Sequence, residues 1–280
     1  MKHSVGRFTG AGGGSIYFQY WEPEAAPGAV ILLAHGAGEH SARYQRLAQF
    51  FAGHNYVVAA LDHTGHGYSE GVPGHVGSFE DYLHDLAKFH RQTTTRFADA
   101  PLIFVGHSMG ALIGCNYLLR HQDDFVGAVL SGPAIKTDLE PGFIQMAFLR
   151  LLALLAPRLG MLKLDAEGVS RDPTVVTDYI ADPLVFHGKM SARMLRELFA
   201  GMDTIQADAA SITLPMLILH GGADSMAAPE GSRFLYEHIG SNDKTLKIYP
   251  GLYHEIFNEP EQAEVLDTVL SWCESRLAAM

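Results

Sequence analysis

Leu102-Ile103-Phe104-Val105-Gly106-His107-Ser108-Met109-Gly110-Ala111-Leu112-Ile113-Gly114 is the stretch on which the reading of this chain turns. An apolar run passes through Gly-x-Ser-x-Gly straight into a helical pattern, which is the strand, turn and helix context of a nucleophile elbow. Glycines flank the serine because a side chain there would collide with neighbouring backbone, and the helix that follows aims its first amides at a developing oxyanion. Ser108 is therefore the expected nucleophile. His107 is expected to point away from it, with no part in proton transfer.

The same alternation extends outward on both sides. Val5 to Thr9 and Ser15 to Trp21 read as an antiparallel hairpin across the glycine-rich turn between them. Ala29 to Ala34, Tyr56 to Leu61, Ala128 to Ser131, Pro215 to Leu219 and Thr245 to Tyr249 are short apolar runs, most of them continuous, as expected of strands buried on both faces of a parallel sheet. Between them Ala42 to Ala52, Ser78 to Phe97, Gly110 to His121, Pro229 to Ile239 and Pro260 to Leu277 carry helical patterns. This is a doubly wound α/β plan.

The alternation stops after Ser131 and resumes at Pro215. The intervening segment has helical patterns, breaks at Glu140-Pro141, Asp172-Pro173 and Asp182-Pro183, and no convincing strand. An insertion of that length is expected to form a helical cap over the strand ends. The expected organisation is a single domain with its core in 1–133 and 211–280 and its cap in 134–210.

A serine hydroxyl needs a base to take its proton, and the base needs an acid to fix its tautomer. In this architecture the chain order is serine, acid, histidine. Asp224, in the turn His220-Gly221-Gly222-Ala223-Asp224 after a late strand, and His254, after the last strand, occupy the second and third places. Taken alone, Asp224 could instead order the turn before the helix at Pro229, and His254 could be an ordinary buried histidine. The backbone amides of Met109 and of Ala37, in His35-Gly36-Ala37-Gly38, are the expected oxyanion donors.

The composition excludes several classes. With 48% hydrophobic and 18% charged residues the chain is not disordered, and its net charge of −11 disfavours nucleic acid as a partner. Cys115 and Cys273 are far apart and fit neither a disulfide framework nor a zinc ribbon, so no metal is expected. Met1 to Arg7 has no apolar run behind its charges, which makes a cytoplasmic location the default.

Further runs extend the motif: His35 to Tyr44 (HGAGEHSARY), Leu61 to Gly71 (LDHTGHGYSEG), Tyr249 to Glu255 (YPGLYHE) and, in the cap, Val169 to Pro173 with Tyr179, Ala181 to Val185 and His187-Gly188. Together with the elbow they resemble the monoacylglycerol lipase and lysophospholipase-like branch of the α/β-hydrolase fold, from about residue 15 to the end. The resemblance implies a mostly parallel twisted sheet of about eight strands flanked by helices, with the cap inserted after the sixth strand. It implies the triad Ser108, Asp224 and His254, the oxyanion donors Ala37 and Met109, and hydrolysis of a single-chain acyl ester without metal or organic cofactor. The sequence departs from relatives at Ser225-Met226-Ala227, where a bulkier or basic residue and then a branched aliphatic often follow the aspartate.

Phe143 to Ala156 is apolar on nearly every side of a helix, whereas ordinary burial needs one stripe. Either the helix is sandwiched between core and cap, or its outer face meets a membrane surface or a second copy of the chain. On both readings Met146, Phe148, Leu149, Leu151 and Leu152 are expected walls of an acyl tunnel. The expected reaction is cleavage of monoacylglycerol to glycerol and free fatty acid. A lysophospholipase or general carboxylesterase is the alternative within the class, and a non-catalytic ligand-binding protein the alternative outside it.

Overall fold

The computed structural model describes residues 1–136 and 142–279. Its strands β1 (Lys2–Thr9), β2 (Ser15–Glu22), β3 (Ala29–Ala34), β4 (Tyr56–Leu61), β5 (Leu102–His107) and β6 (Gly127–Ser131) are followed, after the long intervening segment, by β9 (Met216–Gly221) and β10 (Lys244–Tyr249). They form one eight-stranded sheet in the order β1-β2-β4-β3-β5-β6-β9-β10. The hairpin β1–β2 is antiparallel and pairs antiparallel with β4, while the other pairings are parallel. Every residue of β3, β4, β5, β6 and β9 is buried, which explains why these strands read as unbroken apolar runs.

Helices α1 (Gln45–Gly53), α2 (Phe79–Arg96), α3 (Met109–His121), α7 (Pro229–His238) and α8 (Gln262–Leu277) cover the two faces. The start of α2 is set by a capping box: the Ser78 hydroxyl accepts from the Glu80 amide and Asp81 accepts from the Ser78 amide. Two cores result, one holding α2 and α3, the other α1 and α8. Because the strands from β4 through to β10 are parallel, their C-terminal ends share one edge, where loops converge.

The segment between β6 and β9 adds no strand to this sheet. It contains α4 (Phe143–Leu155), β7 (Gly160–Lys163), α5 (Pro173–Ala181), β8 (Lys189–Ser191) and α6 (Ala192–Asp208). The pair β7–β8 corrects the expectation of a strand-free insertion, since the two form an antiparallel ribbon. Four and three residues are too few to display a strand period. Of the expected breaks, Asp172-Pro173 starts α5, with Asp172 accepting from the Thr174 amide, and Asp182 follows its end; Glu140-Pro141 includes positions outside the described residues.

The sandwiched reading of α4 is also corrected. Leu149 and Ala153 are its buried residues, and it packs on α6. Phe143 is 86% exposed, Ile144 82% and Leu155 72%, with Phe148, Leu151 and Leu154 exposed beside them. The second apolar side of the helix faces outward, with nothing of this chain covering it among the described residues.

Candidate active site

Ser108 caps α3 with φ 53° and ψ −118°, one of two non-glycine residues with positive φ among those described. This strained turn lifts the side chain out of the sheet edge. Its glycines are required by the packing. A Cβ on Gly106 would lie 2.7 Å from Ala111 Cα, and one on Gly110 would lie 2.1 Å from the Ala34 carbonyl oxygen. The Met109 amide is the first of α3 and so has no acceptor within its own helix.

Asp224 lies just beyond β9 and His254 just beyond β10, on the same sheet edge as Ser108. His254 Nδ1 is 2.6 Å from Asp224 Oδ2, and both side chains are buried. With Nδ1 donating to the carboxylate, Nε2 is the free basic nitrogen. Ser108 and His254 line one small cavity together with Gly36, Ala37, Glu39 and His107. Within the Ser108, Asp224 and His254 set, the hydrogen bond present is the one between His254 and Asp224.

Asp224 divides its two oxygens. Oδ1 accepts from the Met226 and Ala227 amides, at 2.8 and 3.0 Å, which orders the turn and leaves Oδ2 to His254. Oδ2 faces two imidazoles, His254 and the wholly buried His220, whose Nε2 is 3.0 Å away. His220 Nε2 is also 3.0 Å from the Ala227 carbonyl, which marks that nitrogen as the donor, and its Nδ1 lies 2.7 Å from the Ser232 hydroxyl. Sequence reasoning missed His220, although a lone histidine ending an apolar strand four residues before the acid was a signal. Burial opposes the carboxylate, but the charge of His254 and hydrogen bonds from His220, His254 and the Ala227 amide hold the Asp224 carboxyl far below the usual range.

For His254, burial works against protonation, while the Asp224 charge and hydrogen bond outweigh it and raise its pKa above the usual histidine value. A base raised above 6.5 is still largely protonated near that pH, and catalysis needs it neutral. The acid limb of kcat/KM for the free enzyme should therefore have its midpoint above pH 6.5. A pH–rate profile with a midpoint below 6 would contradict this arrangement.

His107 departs from its expected orientation. Its ring lies 4.7 Å from that of His254, it lines the same cavity, and its Nδ1 is 3.2 Å from the Ser131 hydroxyl. Burial and the neighbouring His254 push its pKa well down, which keeps it neutral. The glycine turn that presents Ser108 leaves its predecessor packed against the base.

The loop carrying Ala37 is fixed by a buried acid. Glu39 accepts from the Gly36 amide at 2.6 Å, the Tyr44 hydroxyl at 2.6 Å and Arg43 Nε at 3.3 Å. Arg43 also donates to Glu255 at 2.5 Å and stacks over Tyr179 of α5. Glu255, next to His254, takes a further bond from Asn258. The loop that carries His254 is pinned to the segment between β6 and β9, because the His254 and Glu255 amides donate to the Gly168 and Val169 carbonyls.

A second cavity, of about 280 Å³, opens on Ser108, Ala37 and Met109. Its walls are almost wholly apolar: Met161, Leu162 and Leu164 around β7, and Leu195, Leu198, Phe199 and Met202 on one stripe of α6. None of the five expected wall residues lines it. Leu149 is buried in the α4 packing, Met146 and Leu152 are half-buried, and Phe148 and Leu151 are exposed. The physical reason is that α4 lies outside α6, which takes the inner position. Met226, two residues after Asp224, lines both cavities.

Among the described residues no cluster of histidine, cysteine, aspartate and glutamate has the arrangement of a metal site, and no helix is long and apolar enough to cross a membrane.

Residues 25–261 match the family model described as Serine aminopeptidase, S33. The chain is 41% identical to a monoacylglycerol lipase of Mycolicibacterium smegmatis, over 96% of each chain. It is 32% identical to the monoglyceride lipase of Homo sapiens, over 96% of this chain and 89% of that one. Among solved structures, that of a monoacylglycerol lipase from Paleococcus ferrophilus superposes with a TM-score of 0.81 at 31% identity, covering 99% of this chain and all of the other.

Proposed function

We infer the reaction from the family: the chain belongs to the Serine aminopeptidase, S33 family and, within it, to the monoacylglycerol lipase branch of the α/β-hydrolase fold. It is a monoacylglycerol lipase-like serine hydrolase. The reaction proposed is hydrolysis of monoacylglycerol to glycerol and free fatty acid through an acyl-enzyme. The observation that carries this reading is the apolar cavity that opens on Ser108, which suits a single acyl chain. An aminopeptidase reaction is less well served. It calls for a free carboxylate to bind the substrate's ammonium, and the two glutamates that line the Ser108 cavity, Glu39 and Glu255, are both engaged by Arg43.

The steps proposed rest on the His254–Asp224 hydrogen bond and on the cavity that Ser108 shares with His254 and Ala37. His254 Nε2 takes the Ser108 proton as the oxygen attacks the ester carbonyl, and Asp224 stabilises the imidazolium. The Met109 and Ala37 amides receive the oxyanion. His254 then protonates the departing glycerol oxygen. Water, deprotonated by His254, attacks the acyl-enzyme, and collapse of the second tetrahedral intermediate returns the proton to Ser108 and frees the fatty acid.

The outward face of α4 is proposed to rest on a membrane surface, from which a single-chain ester is drawn. The free, buried cysteines fit a reducing, cytoplasmic setting. The test is release of glycerol and fatty acid from 1-monoacylglycerols of graded chain length, beside lysophosphatidylcholine and p-nitrophenyl butyrate. Strong turnover of medium or long monoacylglycerols is expected. Turnover of the activated short ester alone would discard the lipid reading and keep the serine hydrolase.

A further inference from the structure

Among the described residues, Lys136 is the one charged residue that lines the apolar cavity. It is half-buried, and its ammonium lies 4.6 Å from the ring centroid of Phe234 on α7. The contact found for this ammonium among the described residues is that aromatic face. Its backbone is held in place: a Cβ on Gly231 of α7 would come within 2.8 Å of the Lys136 amide nitrogen, and Ala134, two residues earlier, donates to the Ser108 carbonyl at 3.3 Å. The backbone that carries Lys136 is thus anchored close to that of the nucleophile.

An aromatic face attracts a cation without neutralising it. A cation on the wall of an apolar cavity is available to an anion brought by the ligand, and a carboxylate entering the same cavity needs such a partner. An all-hydrocarbon chain supplies no anion. Two residues span at most about 7 Å, so Lys136 Cα stands close to the Ala134–Ser108 contact, and a short or medium chain suffices to join the two.

We propose that Lys136 makes this cavity a site for acyl chains that end in a carboxylate, so that the enzyme also hydrolyses glyceryl monoesters of α,ω-dicarboxylic acids. The inference rests on the acyl-cavity reading above. The bond broken is the same ester: water supplies hydroxyl to the acyl carbon and a proton to glycerol, and the free dicarboxylic acid leaves.

The test compares glyceryl monooctanoate with the glyceryl monoester of octanedioic acid, matched in length, on wild type, Lys136→Met and Lys136→Arg. The quantity read is the ratio of kcat/KM for the carboxylated ester to that for the plain one, so that a general change in activity cancels. Lys136→Met should lower the ratio by roughly tenfold, Lys136→Arg should retain most of it, and added salt should lower it in wild type but not in Lys136→Met. A ratio unchanged in Lys136→Met, or a wild type that turns over the plain ester and ignores the carboxylated one at every chain length from adipate to dodecanedioate, would overturn the proposal. The same pair as p-nitrophenyl esters reads Lys136 without glycerol. Failure of both glyceryl esters with the Lys136 effect intact on the nitrophenyl pair would overturn the acylglycerol reading alone.

Discussion

Ser108→Ala protein should lose turnover of every ester by about 10⁴-fold or more in kcat while remaining folded. The loss is expected to be large because, in the proposed reaction, the hydroxyl oxygen is the atom that forms the covalent bond, and neither the Met109 and Ala37 amides nor His254 could replace it. Stability should change by less than about 1 kcal/mol, a few degrees in Tm for a chain of this size. The side chain faces a cavity, so removing one oxygen leaves no buried void. The measurements are steady-state kinetics, a thermal melt and labelling by a fluorophosphonate, which should mark wild type alone. Substantial activity in the variant, or labelling that persists, would remove Ser108 from its role.

The second large effect is structural. Gly110→Ala should yield little folded protein, with a cost of about 4 kcal/mol or more. The added methyl would meet two backbone carbonyls, Ala34 at 2.1 Å and His35 at 2.5 Å, at the end of a central strand. A flexible side chain could swing aside, but main chain inside a paired sheet has nowhere to go. Gly12→Ala is the matched control, since a methyl there meets nothing within 4 Å. That variant should stay within about 1 kcal/mol of wild type. Urea midpoints and soluble yields compare the two, and a well-folded Gly110→Ala protein would show that helix α3 can slide away from β3.

These two positions show what could be read before any coordinates. The parallel strands announce themselves because Ala29 to Leu33 and Leu102 to Val105 are buried on both faces and carry no polar residue. The elbow is legible because steric necessity at Gly106 and Gly110 leaves a local trace. Asp224 and His254 are legible through chain order, and His254 Nδ1 does face Asp224. His220 was harder: its role depends on a contact with Asp224 Oδ2 that no spacing rule encodes.

The cavity wall was misread for a different reason. A helix apolar on nearly every side, as α4 is, carries little information about which side faces inward. The residues that do form the wall, Leu195, Leu198, Phe199 and Met202, follow a plain helical stripe. Such a stripe signals a packed face, and whether that face meets a core or an empty cavity is decided by what stands opposite. Met161 and Leu162 belong to a strand too short to show a period.

The groups assigned to the chemistry and those that bound the apolar cavity are drawn from the chain in different ways. Ala37, Ser108, Asp224 and His254 come from four distant places, each tied to the end of a different strand of one sheet. The greater part of the apolar wall comes from one continuous stretch, Met161 to Met202. Inheritance can act on these separately. Drift at the wall positions of that stretch, away from the Gly168 and Val169 carbonyls that hold the His254 loop, would reshape the range of acceptable esters without disturbing the proposed proton relay, whereas any change in the order or spacing of the strands would disturb all four positions at once. A lineage built this way can diversify its diet while its chemistry stays fixed.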